Sequence, residues 1–380
     1  MSEISVRMSE GLTEIAPETW DAIANPDGQL FDPFLSWNFL QALEQSGCVC
    51  EETGWIPRHL IAEDGAGNVL GVLPLYVKTH SYGEYVFDHA WADALHRAGG
   101  QYYPKLITAV PFTPVTGRRV LAADDGIRRA LAAAAKSVAG QWEMSGWHVL
   151  FPDATERAEL AASGLSERLD IQFIWDNRGY GSYDDFLGDL ASRKRKGLRK
   201  EREAAQAGLE IVQLSGADLT EEHWDVFFAC YQDTGARKWG TPYLNREFFR
   251  LIHERMAQHV LMVMARRDGQ WIASALNFIG SEALYGRYWG CLEGHDRLHF
   301  ELCYHQAIDY AIAHGLSRVE AGAQGHHKLA RGYRPQAVGS SHFLTHEGLA
   351  TAIGRYLSRE RQAVLAEILA LDGEGPYRKG

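Results

Sequence analysis

The stretch Val260-Leu261-Met262-Val263-Met264-Ala265, then Asp268-Gly269, then Trp271-Ile272-Ala273-Ser274-Ala275-Leu276-Asn277-Phe278 decides the fold. Two apolar runs meet at an Asp-Gly step, where glycine supplies the positive φ of a tight turn, so the spacing predicts a β-hairpin. Upstream, Asn245 stands as a helix cap before the apolar stripe Phe248, Phe249, Ile252 and Met256. Downstream come a strand from Leu284 to Gly290, a loop from Cys291 to His299, and a helix with the stripe Phe300, Tyr304, Ala307, Ile308 and Ala311. Gly315 ends that helix, and Arg318 to Ala321 reads as a short strand.

The first half carries the same signals in the same order. Ser36 caps a helix with Phe39, Leu40 and Leu43 on one face, and Gly47 ends it. A hairpin follows from His59 to Ala62, around Asp64-Gly65, and through Val69 to Val77. An alanine-rich helix from Ile127 to Ala139 stops at Gly140 and leads into a strand from Trp147 to Phe151. The predicted fold class is α/β (α+β): two domains of similar topology, with mixed, mostly antiparallel sheets flanked by helices. The expected boundaries are 1–170, 171–348, and a terminal helix and tail over 349–380, with a connection around Ile171 to Arg202. One asymmetry stands out, the long segment Thr79 to Val120, rich in Tyr, Pro, Gly, His and Trp. It is either a substrate wall or a loop that covers the sheet.

Composition narrows the class. The chain has 380 residues, 46% of them hydrophobic, which excludes disorder and collagen. With 38 Lys+Arg against 49 Asp+Glu the net charge is −11, a poor general ligand for phosphate backbones or anionic membranes, although a local basic patch could bind either. Five scattered cysteines without a C-x-x-C pair point to reduced thiols, and no stretch resembles a signal peptide or a membrane span. The expectation is a soluble cytoplasmic protein whose oligomeric state the sequence leaves open. His295, His299 and His305 lack the three or four converging ligands that zinc needs, so no metal is expected.

Certain segments carry a resemblance. Phe34-Leu35-Ser36-Trp37-Asn38-Phe39-Leu40, His80-Ser81-Tyr82-Gly83-Glu84-Tyr85-Val86-Phe87-Asp88 and Pro111-Phe112-Thr113-Pro114-Val115-Thr116-Gly117 are of this kind, as are Leu298-His299-Phe300-Glu301 and Glu320-Ala321-Gly322-Ala323-Gln324-Gly325-His326-His327-Lys328. Over nearly its whole length the chain resembles the bacterial FemAB-like predicted N-acyltransferases, in which two GNAT-like acyltransferase domains stand in tandem. It departs from them at His326, where family members carry Glu, and at Ala330 or Arg331, where Fem enzymes carry a second lysine.

The resemblance implies transfer of an acyl group from acyl-CoA, as co-substrate, to an amine of a small molecule or peptide. A closer kinship with the Fem peptidyl transferases would imply an aminoacyl-tRNA donor, and a module that kept only the fold would bind a metabolite or acyl carrier without turnover. The fold implies two parallel strands, Leu284–Gly290 and Arg318–Gly322, that splay apart to hold the donor. Glu320 at the end of the second could serve as a base or sit in an ion pair with an arginine such as Arg287. Glu301 could take part in catalysis or act as a partner of its helix dipole. His327 could relay a proton, while Lys328 or Arg331 could neutralise a phosphate or an oxyanion, unless this turn is a solvated loop. Tyr288, Trp289 and Arg297 are expected with Arg331 on the donor side, and Asp88, His89, Tyr102, Tyr103 and Phe112 on the acceptor side, with core packing as the alternative for the aromatics. From Arg193 to Arg202 seven of ten residues are basic, a phosphate or RNA contact or a solvated helix face.

Overall fold

The computed structural model describes residues 4–237, 240, 242–322 and 325–378. Its strands, in chain order, begin with β1 (Ser5–Ser9), β2 (Trp55–Pro57), β3 (His59–Glu63), β4 (Val69–Leu73) and β5 (Tyr76–Lys78). Next come β6 (Lys105–Thr108), β7 (Leu121–Ala122), β8 (Gly146–Leu150), β9 (Ser166–Asp176) and β10 (Glu210–Ser215). The last five are β11 (Val260–Arg267), β12 (Gln270–Ile279), β13 (Ala283–Cys291), β14 (Arg318–Glu320) and β15 (Arg334–Leu344). The helices are α1 (Pro17–Ala24), α2 (Trp37–Gln45), α3 (His89–Arg97), α4 (Asp125–Gln141), α5 (Ala154–Ala162), α6 (Tyr183–Gly188), α7 (Ser192–Gln206), α8 (Glu221–Arg237), α9 (Arg246–Met256), α10 (Leu298–Phe300), α11 (Gln306–Ala313) and α12 (Glu347–Gly373). None is long and apolar enough to cross a membrane.

The chain forms two compact units, residues 1–170 with 337–366 and residues 171–336 with 367–380. The first differs from the domain expected from sequence, because 337–366 belongs to it. The cause is pairing and packing: Ser340–Leu344 of β15 pairs antiparallel with β8, and Leu349, Ile353 and Leu357 of α12 bury against Trp91, Leu95 and Tyr102.

In the N-terminal unit β1-β3-β4-β7 forms one sheet, and β2, β5, β6, β8 and β15 pair in that order in another. Helix α2 has nine residues, too short to persist alone. It is fixed by the Ser36 side chain, which accepts from the Phe39 N–H, and by burial of Phe39, Leu40 and Leu43. The segment 79–120 is more than a loop, since it contains α3 and the fully buried strand β6. That strand pairs in parallel with β8, Ile107 opposite His148. The two halves of the chain thus share even the parallel strand pair.

In the C-terminal unit the order is β10-β11-β12-β13-β14-β9, with β13 and β14 parallel and the rest antiparallel. The hairpin β11–β12 turns at Asp268 (φ 49°) and Gly269 (φ 80°), two positive φ values in succession as its Asp-Gly step demands. Ala307, Ile308 and Ala311 of α11 pack with Trp175, Val319 and Leu284 to close this unit's core.

Candidate active site

Strand β13 is parallel to β14 for only three residues, Ala283 to Tyr285 against Arg318 to Glu320. Beyond Tyr285 the edge of β13 that faced β14 has no strand partner among the described residues. On its other edge, β12 continues, with a bulge: Leu276 lies opposite Tyr288 and Asn277 opposite Gly286, so Arg287 is the extra residue. The chain after β14 turns away through Gly322 (φ 79°). Between the diverging ends opens a cleft of about 440 Å³, with Gly286, Arg287, Tyr288 and Trp289 on one side and Ala321, Gly325 and His327 on the other.

A π-helical turn, Glu301–His305, between α10 and α11 forms the third wall. The extra residue of a π turn rotates its neighbours, and such turns gather at functional sites. Here Cys303 and Tyr304 face the cleft beside His299, while Glu301 and His305 are buried. Tyr304 and His327 are joined across the cleft wall, OH to Nε2, at 2.8 Å. His327 is exposed, but partial desolvation of its ring, then the charges of Arg331 and Lys328, lower its pKa, so the ring is neutral at pH 7. Burial keeps the Tyr304 phenol protonated.

In the N-terminal unit the corresponding ends of β6 and β8 do not open. Gly117 bridges Pro152, its N–H donating to the Phe151 carbonyl at 3.1 Å, and the buried Arg119 guanidinium donates to the carbonyls of Leu150, Arg118 and Val115. The chain's own groups occupy what is a cleft in the other half.

Among the residues expected on the donor side, Tyr288 and Trp289 line the cleft. Arg297 does not: it is exposed, left-handed (φ 60°) and paired with its neighbour Asp296. Arg331 is also taken up, with Nε and Nη2 donating to Glu201 at 2.8 and 2.7 Å, Nη1 donating to the His327 carbonyl, and the guanidinium 3.4 Å above the Phe300 ring. A guanidinium so engaged positions the His327 backbone and has no fork left for a phosphate.

The expected acids sit elsewhere than the cleft wall. Glu320 is buried and accepts from Arg318 Nε at 2.9 Å, so the ion pair exists but its arginine is Arg318. Glu301 is fully buried and accepts from Arg202, Gln206 and Gln306, an arrangement that fills its lone pairs and fastens the π turn to α7. Glu301→Ala is expected to cost about 2–3 kcal/mol, below the range for a fully buried pair because Arg202 is partly exposed and keeps Asp309. A denaturant midpoint unchanged from wild type would show that this glutamate holds nothing.

Lys328 is buried, with Nζ donating to the Gly322 carbonyl at 2.7 Å, and burial lowers its pKa to about 8. His326 is exposed beside Phe173. Ala323 and Gln324 of the same motif lie outside the described residues. His295 contacts Arg267, His299 packs against Trp289 and Tyr304, and His305 contacts Tyr183 and Glu201, so the three spaced histidines serve different partners.

The residues expected on the acceptor side lie in the N-terminal unit. Asp88 is buried, accepting from Ser81 Oγ at 2.6 Å and Tyr102 OH at 2.7 Å and pairing with the fully buried Lys105. Lys105 also donates to Glu84 and to Ser81, both at 2.8 Å, and Tyr103 OH meets Ser81 Oγ at 2.7 Å. These side chains pair with one another inside the N-terminal unit, and of the Glu84 carboxyl only Oε2 is met, Oε1 being buried without a hydrogen-bond partner among the described residues. Phe112 is core, 5.3 Å from the Trp55 ring, and His89 is exposed at the start of α3.

A family model for FemAB-like proteins, described as peptidoglycan biosynthesis/recognition, matches residues 11–379. No curated protein matches the chain. Among solved structures, FemX is similar over 90% of this chain and 98% of that chain, with a TM-score of 0.56 and 13% identity. The C-terminal domain of a putative lysylphosphatidylglycerol synthetase from Agrobacterium fabrum is similar over 88% and 94%, with a TM-score of 0.51 and 10% identity. A tandem GNAT protein from the clavulanic acid biosynthesis pathway is similar over 90% and 99%, with a TM-score of 0.44 and 14% identity. At such identities the likeness concerns the fold alone, mixed α/β with helices flanking the sheets, as expected.

Proposed function

The chain belongs to the FemAB-like family, and on that premise we propose that it is an N-acyltransferase, with acyl-CoA as donor and an amine of a small molecule or peptide as acceptor. The observation that carries this reading is the early end of the β13–β14 pairing, which leaves this edge of β13 with no strand partner among the described residues, beside the joined side chains of Tyr304 and His327. An unpaired edge is a row of peptide N–H and C=O groups, suited to the amide-bearing arm of a pantetheine thioester.

The residues divide the work as follows. With the imidazole proton on Nε2 and donated to the Tyr304 oxygen, His327 Nδ1 keeps its lone pair and takes the proton that the attacking nitrogen loses. The Tyr304 hydroxyl, kept protonated by burial, donates toward the carbonyl oxygen as negative charge grows there. The new N–C bond forms as the C–S bond breaks, and the thiolate takes up a proton as it leaves. Lys328 holds the turn through Gly322 and adds positive potential to this wall. Glu320 fixes the end of β14 through Arg318, so Glu320→Gln is expected to change turnover by less than about tenfold. A loss beyond that would return Glu320 to the chemistry.

Thiol release from acetyl-CoA with a mixed amine pool tests the reading. RNase-resistant, protein-dependent release with an acetylated amine as product is expected. Tight thioester binding with no turnover across the pool would overturn it. A second reading has a specific observation in its favour: Arg193, Lys194 and Lys196 in the first turn of α7, and Lys200 one turn on, are exposed with no ion pair among the described residues. Cations at a helix N-terminus oppose its dipole, so folding alone does not call for them. An aminoacyl-tRNA donor would use them, and RNase would then abolish activity.

A further inference from the structure

Among the described residues that line the cleft, Asn277 is the one carboxamide. It stands on the interior strand β12 and is 1% exposed, a position where a polar side chain normally finds partners for its atoms. Its Nδ2 donates to the Leu261 carbonyl at 3.2 Å. A carbonyl can only accept, so this contact fixes the orientation of the amide and turns Oδ1 the other way. On that side runs β13, and the residue opposite Asn277 is Gly286, next to the bulge. Paired residues present their side chains to the same face of a sheet, and Gly286 has none to present. A Cβ on Gly286 would lie 3.3 Å from Asn277 Oδ1, 3.5 Å from the Ala321 Cα and 3.6 Å from the Glu320 carbonyl oxygen. The glycine thus leaves an atom-sized niche where β13 and β14 part, with Oδ1 on its wall. Among the described residues no donor meets Oδ1. Trp289, Tyr304 and His327 line the same cleft.

We propose that Asn277 Oδ1 receives an N–H of the acceptor nitrogen, so that this cleft acylates primary amines and discriminates against secondary ones. The proposal rests on the transferase reading for the existence of an acceptor, whereas recognition of the N–H is a property of the niche that binding alone can measure. A primary amine, as the free base, brings two protons on the nitrogen that attacks. Its lone pair forms the N–C bond, one proton passes to His327 Nδ1, and the C–S electrons leave with the thiolate. The second proton stays on nitrogen in a hydrogen bond to Oδ1 and persists as the N–H of the product amide. A secondary amine has no proton left for Oδ1 once the first is gone, and its extra carbon would set an apolar group against a buried acceptor. The pantetheine arm of the donor carries amide N–H groups too, so the donor is the other source of the same chemistry.

Calorimetric titration of the full chain with N-acetylphenethylamine, a product-type amide that keeps its N–H, and with its N-methyl twin, which has none, tests this. Wild type is expected to bind the first at least about tenfold more tightly. Gly286→Ala sets a methyl group over Oδ1 and leaves the bond from Asn277 to Leu261 in place, so the preference should vanish. Alanine fits there, because the Gly286 backbone is outside the left-handed region and the nearest atoms stand at 3.3 Å or more. Asn277→Ala should erase the preference as well, but it also removes the bond to Leu261, and Gly286→Ala decides if that variant does not fold. Equal affinity for the twins in wild type, or binding of neither, overturns the proposal, as does an unchanged preference in Gly286→Ala. Affinity for coenzyme A should be the same in wild type and Gly286→Ala. A loss confined to coenzyme A overturns the assignment to the acceptor and gives Oδ1 to the donor. Thiol release from acetyl-CoA, with phenethylamine and with N-methylphenethylamine, is read in parallel. Preference for the N–H amide without any turnover would sink the transferase reading and leave the recognition standing, whereas equal turnover of both amines would overturn the recognition alone.

Discussion

His327→Gln is expected to lower kcat by about 10²–10⁴-fold while donor binding stays within about threefold of wild type. Glutamine can still hydrogen-bond to Tyr304, so the wall keeps its shape and loses only a group that exchanges a proton near neutrality. A fall in kcat and kcat/KM together would mark an interaction made in the transition state. The pH profile supplies an independent check. Partial desolvation and two nearby cations lower the His327 pKa, and a base acts only when unprotonated, so wild-type activity should hold below the ordinary histidine pKa of about 6.5 and fail at lower pH. Lys328→Met removes one of those cations, so the acidic limb should move to higher pH. Turnover of His327→Gln within about threefold of wild type would remove this residue from the mechanism.

How much of this was legible in the sequence can be judged residue by residue. The β11–β12 hairpin and the capped helices follow from local chemistry, such as the Asn245 cap and the Asp268-Gly269 turn, and local chemistry is what a sequence displays. The splayed strands were located by resemblance, and the abrupt end of pairing at Tyr285 agrees with that location. Strand β6 escaped notice because it is four residues long, begins with Lys105 and lies inside a polar, aromatic segment. Tyr304 escaped because a helical stripe predicts burial against the sheet; it is buried, but it and Cys303 also line the cleft from a π turn, which has no sequence period. For Glu301 and Arg331 the residue types suggested chemistry, but long-range partners decide what a charge does: α7 supplies Arg202 to one and Glu201 to the other, about a hundred residues away in sequence. Asp88 was singled out for the acceptor, yet its partner Lys105 makes it a structural anion.

That pair sets the other large expected effect. Lys105→Met should destabilise the N-terminal unit by about 3–5 kcal/mol, the range for breaking a buried ion pair by removing one partner. The carboxyl groups of Asp88 and Glu84 that face Lys105 are almost fully buried, so Asp88 would be left with a charge that neither water nor a counter-ion can meet, while Glu84, already raised to about 7, would take up a proton. Opposite Lys105 across the β5–β6 pair lies Lys78, also fully buried. Burial lowers the Lys78 pKa to about 7, so it is a poor substitute counter-ion. The two acids also predict opposite pH dependences. Burial raises the Asp88 pKa, but the Lys105 charge and hydrogen bonds outweigh it and hold the carboxyl below its usual range. Its stabilising contribution is therefore present above the unfolded value of about 3.9 and is lost as pH falls. Glu84 is raised to about 7, chiefly by burial, so the folded state binds its proton more readily than the unfolded state. Its contribution is complete below about pH 4.3 and is lost as pH rises through 7. Glu84→Gln should accordingly flatten the decline in stability between those limits without changing the acid side. In Lys105→Met, adding Asp88→Asn should recover part of the loss, because the stranded charge disappears. Hydrogen exchange of the β5, β6 and β8 amides reads this unit separately from the other. Exchange of those amides no faster in Lys105→Met than in wild type would show that the acids meet inside the core as neutral groups, and the account of Asp88 given above would fall with it.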